Sequence, residues 1–347
     1  MNGYVNPENR GRHANPLKDP NAVVNPIFRG WATACVSYEP SDSEWSGPGV
    51  WNDPNKTIGP VTGDSSDIVS LGDLDQNEIG QNIPPGEITL LFGKGGEPDD
   101  LGVIRNVKGY DFVIFENGVI SGRTTLGGSV FGQMFAELGF VEVSSNGRDF
   151  VRFPSVSLTG GPVGPYGTIE VSNIYNLAGK HPNAEGICTG TPFDLDEIAD
   201  DPLVVSGAVD INNIKYVRIV DIPGSGDFSD DVIRHIDPYT WPNWAYYSAN
   251  HPVYDAWLTW GSGGLDLEAV GVLNEQEYSA DVNLDGVVDM ADLALFASAW
   301  RSHFGQSNWI RKCDLAEPKD FVVDGSDLAV FAEQWVAVEK WRLRSAK

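Results

Sequence analysis

The chain of 347 residues is poor in the groups from which most catalytic and redox sites are built. Its three cysteines, Cys35, Cys188 and Cys313, show no CxxC or metal-ligand spacing. They leave room for one bridge, Cys35 to Cys188, if the chain reaches an oxidising compartment. The five histidines fall in no HExxH or HxH arrangement, and a GxSxG elbow, a P-loop and a helix-opening GxGxxG are all missing. No enzyme is expected, although a glycosidase-type carboxylate pair would need no motif. Cationic residues are few: 23 Lys and Arg stand against 49 Asp and Glu, a formal charge of −26. Without a basic stripe to meet phosphates, nucleic acid is not an expected partner. No run of about 18 apolar residues exists, so no membrane span is expected.

What is present describes a folded, mainly β protein. Apolar residues make up 41% of the chain and 11 residues are Trp, which argues against disorder despite the charge. Glycine (39) and proline (22) punctuate short β-branched or aromatic runs, and helical periodicity is lacking before residue 290. Runs at 87–92, 110–116, 138–144, 149–153, 215–220 and 265–273 read as strands, with Asn146-Gly147 as a hairpin turn. The last run begins as a half-buried strand by its alternation. Many short strands with Gly-rich turns predict a two-sheet β-sandwich over residues 31–273. Residues 1–30 carry three Asn-Pro pairs and read as an extended arm. Residues 274–280 form a linker, and 338–347 a frayed basic tail.

The sharpest chemical pattern spans residues 281–292. Oxygen-bearing side chains fall at loop positions 1, 3, 5, 9 and 12: Asp281, Asn283, Asp285, Asp289 and Asp292. Val287 at position 7 would offer its carbonyl, and Gly286 stands where the loop must turn. A hard cation needs six to eight oxygens, and this spacing wraps a short chain around one, so Ca2+ is the expected cofactor. A shift of 35 residues superimposes Asp285, Val287, Asp289 and Asp292 on Asp320, Val322, Asp324 and Asp327. Each loop leads into a helix with an apolar stripe, Leu293, Phe296, Ala297 and Trp300 in the first, so the two helices should pack together. The second loop is damaged, with Phe321 in place of the glycine. Counting straight back puts Ala316 and Pro318 at positions 1 and 3, whereas a two-residue insertion would bring Asp314 to position 1.

Tandem loop–helix units with Asp at position 12 and Asp-Leu opening each helix resemble a type I dockerin module, over residues 281–337. The resemblance implies a small calcium-folded unit of secreted bacterial proteins that docks onto a cohesin module. Its recognition positions correspond here to Met290-Ala291 and Gly325-Ser326, of which Ser326 alone matches the hydroxyl-rich pair of cellulosomal dockerins. Residues 31–273 also resemble a group of bacterial cell-surface proteins of unassigned activity. The likeness rests on Gly109-Tyr-Asp-Phe-Val-Ile-Phe-Glu-Asn117, Phe135-Ala-Glu-Leu-Gly-Phe-Val-Glu-Val-Ser144, Thr191-Pro-Phe-Asp-Leu195, Tyr216-Val-Arg-Ile-Val-Asp221 and Gly263-Gly-Leu-Asp-Leu-Glu-Ala-Val270. It implies a jelly-roll-like sandwich exported to the cell surface. The opening Met-Asn-Gly-Tyr-Val-Asn-Pro has no signal-peptide character, so export would need a leader outside this sequence.

Two further sets are candidates. Asp111, Glu116 and Asn117 flank a strand, and Asp221, Asp255 and Asp266 lie near other strand ends; they would hold a structural cation between loops or cap turns. Residues 239–260 gather eight aromatics, among them Trp241, Trp244, Tyr246, Tyr247 and Trp257. These would pack on one another, anchor a protein interface or stack on a glycan. The expected role is attachment or assembly outside the cell, with a cohesin-like module, identical subunits or a glycan as partner.

Overall fold

The computed structural model describes residues 1–9, 12–41, 46–93, 102–230, 250–274, 278–316 and 319–345. The chain is mainly β, and its sheets are antiparallel. Ten strands build the two large sheets. They are β1 (Phe28–Trp31), β2 (Ala34–Glu39), β3 (Val69–Ser70), β4 (Glu87–Leu91) and β5 (Phe112–Glu116). The rest are β6 (Gly139–Ser144), β7 (Val151–Arg152), β8 (Thr191–Phe193), β9 (Tyr216–Asp221) and β10 (Asp266–Leu273). One sheet runs β7-β6-β9-β4-β2; the other runs β8-β5-β10-β1, with β3 paired to the start of β10. The strands fall where the β-branched runs place them, and β6 and β7 form the hairpin at Asn146-Gly147 (Gly147 φ 73°).

A shared core lies between the sheets. Ile88, Leu90, Val141, Val143, Val217 and Ile219 enter from one side, and Phe112, Ile114, Phe193, Leu267, Val270 and Val272 from the other. Strand β9 alternates half-buried and buried residues, as a one-sided strand should. Strand β10 does not: all eight of its residues are buried. Its outer face, with Val113 and Phe115 of β5, is covered by Ile27, Tyr4 and Phe28 of the N-terminal segment and by Leu284 and Trp341 from the C-terminal region. Alternation in the sequence therefore marks two kinds of cover here, not burial against exposure.

That cover accounts for both end segments and separates two of the cysteines. The N-terminal segment is extended in short strands and packed down: Tyr4–Asn6 pairs with Arg12–His13 and with Val23–Val24, and the Gly3 amide donates to Cys188 O at 2.7 Å. The C-terminal tail is no frayed end, because Lys340–Ser345 is helical and Trp341 is buried beside Gly286. All three thiols are free. Cys35 packs against the core between the sheets while Cys188 packs on the outer face of the second sheet, so that sheet stands between them.

Candidate calcium loops and the acidic end of the sheets

Helices α1 (Met290–Ser298) and α2 (Gly325–Glu333) follow the two loops, each opened by an Asp N-cap whose partner three residues on completes a capping box. Phe296 and Phe331 meet with ring centroids 5.3 Å apart, so the helices do pack together. The buried stripe is shorter than its period suggests. Phe296 and Ala299 are buried, Leu293 is half-buried, Ala297 is exposed and Trp300 is 39% exposed. Trp300 lies past the end of α1 at Ser298, just before the left-handed Arg301 (φ 61°), whereas Ala297 lies within the helix on its exposed side.

The two units are related by an internal two-fold arrangement. Val288 exchanges hydrogen bonds with the chain leaving α2 (Val288 N to Ala337 O, 2.9 Å; Val336 N to Val288 O, 3.0 Å). Val323 does the same with the chain leaving α1 (Val323 N to Ser302 O, 2.9 Å; Arg301 N to Val323 O, 2.8 Å). Each residue has its counterpart 35 positions away, down to the left-handed Val336 (φ 62°) opposite Arg301.

In the first loop every predicted side-chain ligand is drawn to the loop backbone. Asp281 accepts from the Asp285 and Gly286 amides (3.1 and 2.8 Å), and Asn283 Oδ1 accepts from the Asp285 amide (2.9 Å). Asp285 accepts from the Val287 amide at 3.0 Å, and Asp289 from the Ala291 amide at 2.7 Å. Asp292 closes the loop, accepting from the Asn283 and Asp289 amides at 3.0 and 2.8 Å. Asp281, Asp285 and Asp292 are buried together. Burial lifts the Asp281 carboxyl to about 7, against the pull of Lys312, with repulsion from Asp292 and Asp285 adding to the rise. Gly286 (φ 84°) admits Trp341 and Arg342: a Cβ there would come within 2.9 Å of both side chains.

The second loop keeps this frame and loses parts of the ligand set. Val322 N to Asp320 Oδ1, Asp324 N to Asp327 Oδ2 and Ser326 N to Asp324 Oδ1 repeat the first loop bond for bond (2.9, 2.7 and 2.8 Å). Phe321 (φ 60°) stands in the place of Gly286, and its amide donates to Asp314 Oδ2 at 3.0 Å. Asp327 Oδ1 accepts from the Leu315 and Ala316 amides. Asp314 therefore takes the role of Asp281, which decides for the two-residue insertion. Ala316 holds position 3 without an oxygen-bearing side chain. Asp314 Oδ1 is buried and lacks a hydrogen-bond partner, and burial raises this carboxyl to about 7 while Lys319 holds it down.

Residues that no sequence pattern marks fasten this unit to the sheets. Arg311 pairs with Glu197, and its guanidinium lies 4.9 Å from the Tyr175 ring and 5.5 Å from that of Tyr110. Phe304 meets Tyr175 edge to face at 6.0 Å. The neighbouring Lys312 sits 5.1 Å over Tyr110 and also reaches Asp281 O at 3.4 Å, so it touches both the sheets and the first loop. A cavity of about 460 Å3 opens at this junction, lined among others by Tyr175, Lys180, Trp309 and Arg311. Of the residues that the dockerin resemblance singles out, Met290 is 65% exposed and Gly325 and Ser326 are exposed. Ala291 lines a cleft of about 420 Å3 with Asn2, Val5, Arg12 and His13.

The candidates in the larger domain separate. Asp111 stands before β5 and caps two amides, Val107 and Leu195, at 2.9 and 2.7 Å, which leaves it a turn-capping residue. Glu116 and Asn117 lie at the opposite end of β5, with Asp221 at the end of β9, Asp266 at the start of β10, and Asp255. Asp73 and Glu137, unmarked by any sequence signal, join them there. Trp257 is half-buried and its indole donates to Leu74 O at 3.0 Å. Trp241, Trp244, Tyr246 and Tyr247 lie outside the described residues.

Among the described residues no three His, Cys, Asp or Glu side chains converge tightly enough, as they stand, to hold a metal ion. A calcium shell draws also on amide, carbonyl and water oxygens. No helix among the described residues is long and apolar enough to cross a membrane. No family model, curated protein or solved structure matches the chain.

Proposed function

We propose that this chain is a non-catalytic, exported calcium-binding protein that attaches, through a dockerin-like C-terminal module, to a cohesin-like partner at the cell surface or beyond it. The larger domain is, in this reading, a jelly-roll-like sandwich that the module holds in place. The observation that carries the reading is the first loop. Five oxygen-bearing side chains and the Val287 carbonyl stand in calcium order, and three of the carboxylates are buried together. Asp281, Asn283, Asp285, Asp289 and Asp292 would hold the ion there, and Asp314, Asp320, Asp324 and Asp327 with the Val322 carbonyl would hold one in the second loop. A bound cation supplies the charge that lets these carboxylates sit together ionised. The protein's own residues position them through the loop amides and capping boxes. Extracellular sites bind at about 10⁻⁴–10⁻³ M, which suits steady occupancy outside a cell.

The pair Gly325-Ser326 lies on the more open side of the module, since Ala291 faces the N-terminal sheet. Docking is therefore expected through the second repeat. Calorimetry with a panel of cohesins, with and without EDTA, tests the whole reading. Calcium-dependent binding that Ser326→Asp weakens supports it. Failure with every cohesin, together with calcium-dependent growth in sizing experiments, would replace attachment by self-assembly.

A further inference from the structure

The end of the two-sheet domain away from the calcium loops buries six carboxyl groups. Asp73, Glu116, Glu137, Asp221, Asp255 and Asp266 are each no more than 4% exposed. Strand register explains why they meet. Glu116 lies opposite Leu267 where β5 ends, Asp266 opposite Ser70 where β10 begins, and Asp221 opposite Gly139 where β9 meets β6. Both sheets thus deliver acids to one edge of the shared core. Some of their oxygens are occupied: Asp255 Oδ2 takes the Leu138 amide (2.7 Å), Glu137 Oε1 the Thr259 hydroxyl (2.6 Å), and Asp221 Oδ1 the Leu265 amide (2.8 Å).

Others are not. Asp73 Oδ1, Asp221 Oδ2, Asp266 Oδ1 and the amide oxygen of Asn117 are buried with no hydrogen-bond partner. An unpaired polar atom in such a place is destabilising, and more so if charged, so four at one edge need an account. The charges bearing on Asp73, Glu116, Glu137, Asp221 and Asp255 come from other acids, namely members of the set and Glu78. Burial first, and this repulsion with it, raises the carboxyls of all five. The backbone adds oxygen as well. Gly264 (φ 67°) brings the Gly72 carbonyl and Asp221 together so closely that a Cβ would come within 2.4 and 2.6 Å of them.

We propose that this acidic end is a second, separate cation site, which takes at least one calcium ion on the free oxygens of Asp221, Asp266 and Asn117. The donors are all hard oxygens from carboxylate, amide and carbonyl groups, the set that favours calcium over zinc or copper. Binding joins the edges of the two sheets, so the ion is structural and independent of the C-terminal loops.

The test uses the full chain carrying Asp281→Asn with Asp292→Asn and Asp314→Asn with Asp327→Asn, which takes the first and last carboxylates from each loop and leaves the sheets untouched. Terbium is the probe, excited through Trp257, whose indole is bonded to the residue after Asp73. Sensitised emission that calcium displaces, with at least one ion per chain by equilibrium dialysis, is the expected result. Adding Asp221→Asn and Asp266→Asn should remove it, with melting followed in parallel. If the loop-disabled chain binds no calcium and shows no sensitised terbium emission, the proposal is overturned. That outcome would leave the C-terminal reading intact, because the loops are tested separately in the unaltered chain.

Discussion

The two candidate calcium loops share a backbone frame and differ in what fills it. In both, an Asp at the twelfth position ties the helix start to the loop start, and an Asp at the first position receives the amide of the sixth. The first loop has an oxygen at every ligand position and a glycine at the turn. The second has Ala316 at position 3, two extra residues, Phe321 in a left-handed turn and Lys319 donating to Asp314 O at 2.7 Å. A carboxylate that caps amides keeps the loop's shape whether or not it also grips an ion. The lesson is that the loop frame survives the loss of ligand side chains, because the capping bonds and the two-fold pairing through Val288 and Val323 hold it.

The comparison breaks most severely at the axis. Phe296→Ala empties the contact with Phe331 and should cost about 3–5 kcal/mol. Denaturant unfolding followed by module tryptophans should show both loops lost in one step. Loss of the first alone would mean that they are independent.

Smaller effects separate the two loops. Asp281→Asn should weaken calcium binding at least tenfold, about 1.4 kcal/mol, by calorimetry. Asp314→Asn should change it less. In EDTA the effect of Asp314→Asn depends on pH. Burial raises the folded-state carboxyl of Asp314 from 3.8 to about 7, so the native chain holds a proton that the unfolded chain has released. The stability from that protonated group is present below pH 4 and is lost as pH rises toward 7. Asp314→Asn should therefore melt higher than the parent at pH 8 and no higher at pH 4.

The smallest change is Lys319→Gln. It removes a partly exposed cation that competes with the ion, and should tighten the second loop by a few tenths of a kcal/mol. No change in a direct titration would mean that Ala316 alone accounts for the weakness.

Much of this was legible in the residues. The strands, the Asn146-Gly147 turn, the two helices and their contact all follow from local pattern. The stripe through Trp300 overran because periodicity does not say where a helix stops; the left-handed Arg301 does. Asp111 and Glu116 looked alike in sequence, each an acid beside one strand. They differ only because β5 carries them to opposite ends of the core. Neither Asp73 nor Glu137 stands out as a candidate ligand in the sequence, since their partners are distant in the chain.

By itself the sequence determined that calcium-type oxygens recur in order at 281–292 and again, damaged, 35 residues later. Their spacing is local, set by one short stretch of backbone. Tertiary structure alone decided that Asp314 heads the second loop, that Arg311 and Trp341 bind the module to the sheets, and that six acids share one buried edge. Those relations depend on which strand ends and side chains come to lie side by side, and that is fixed only when the sheets close over their common core.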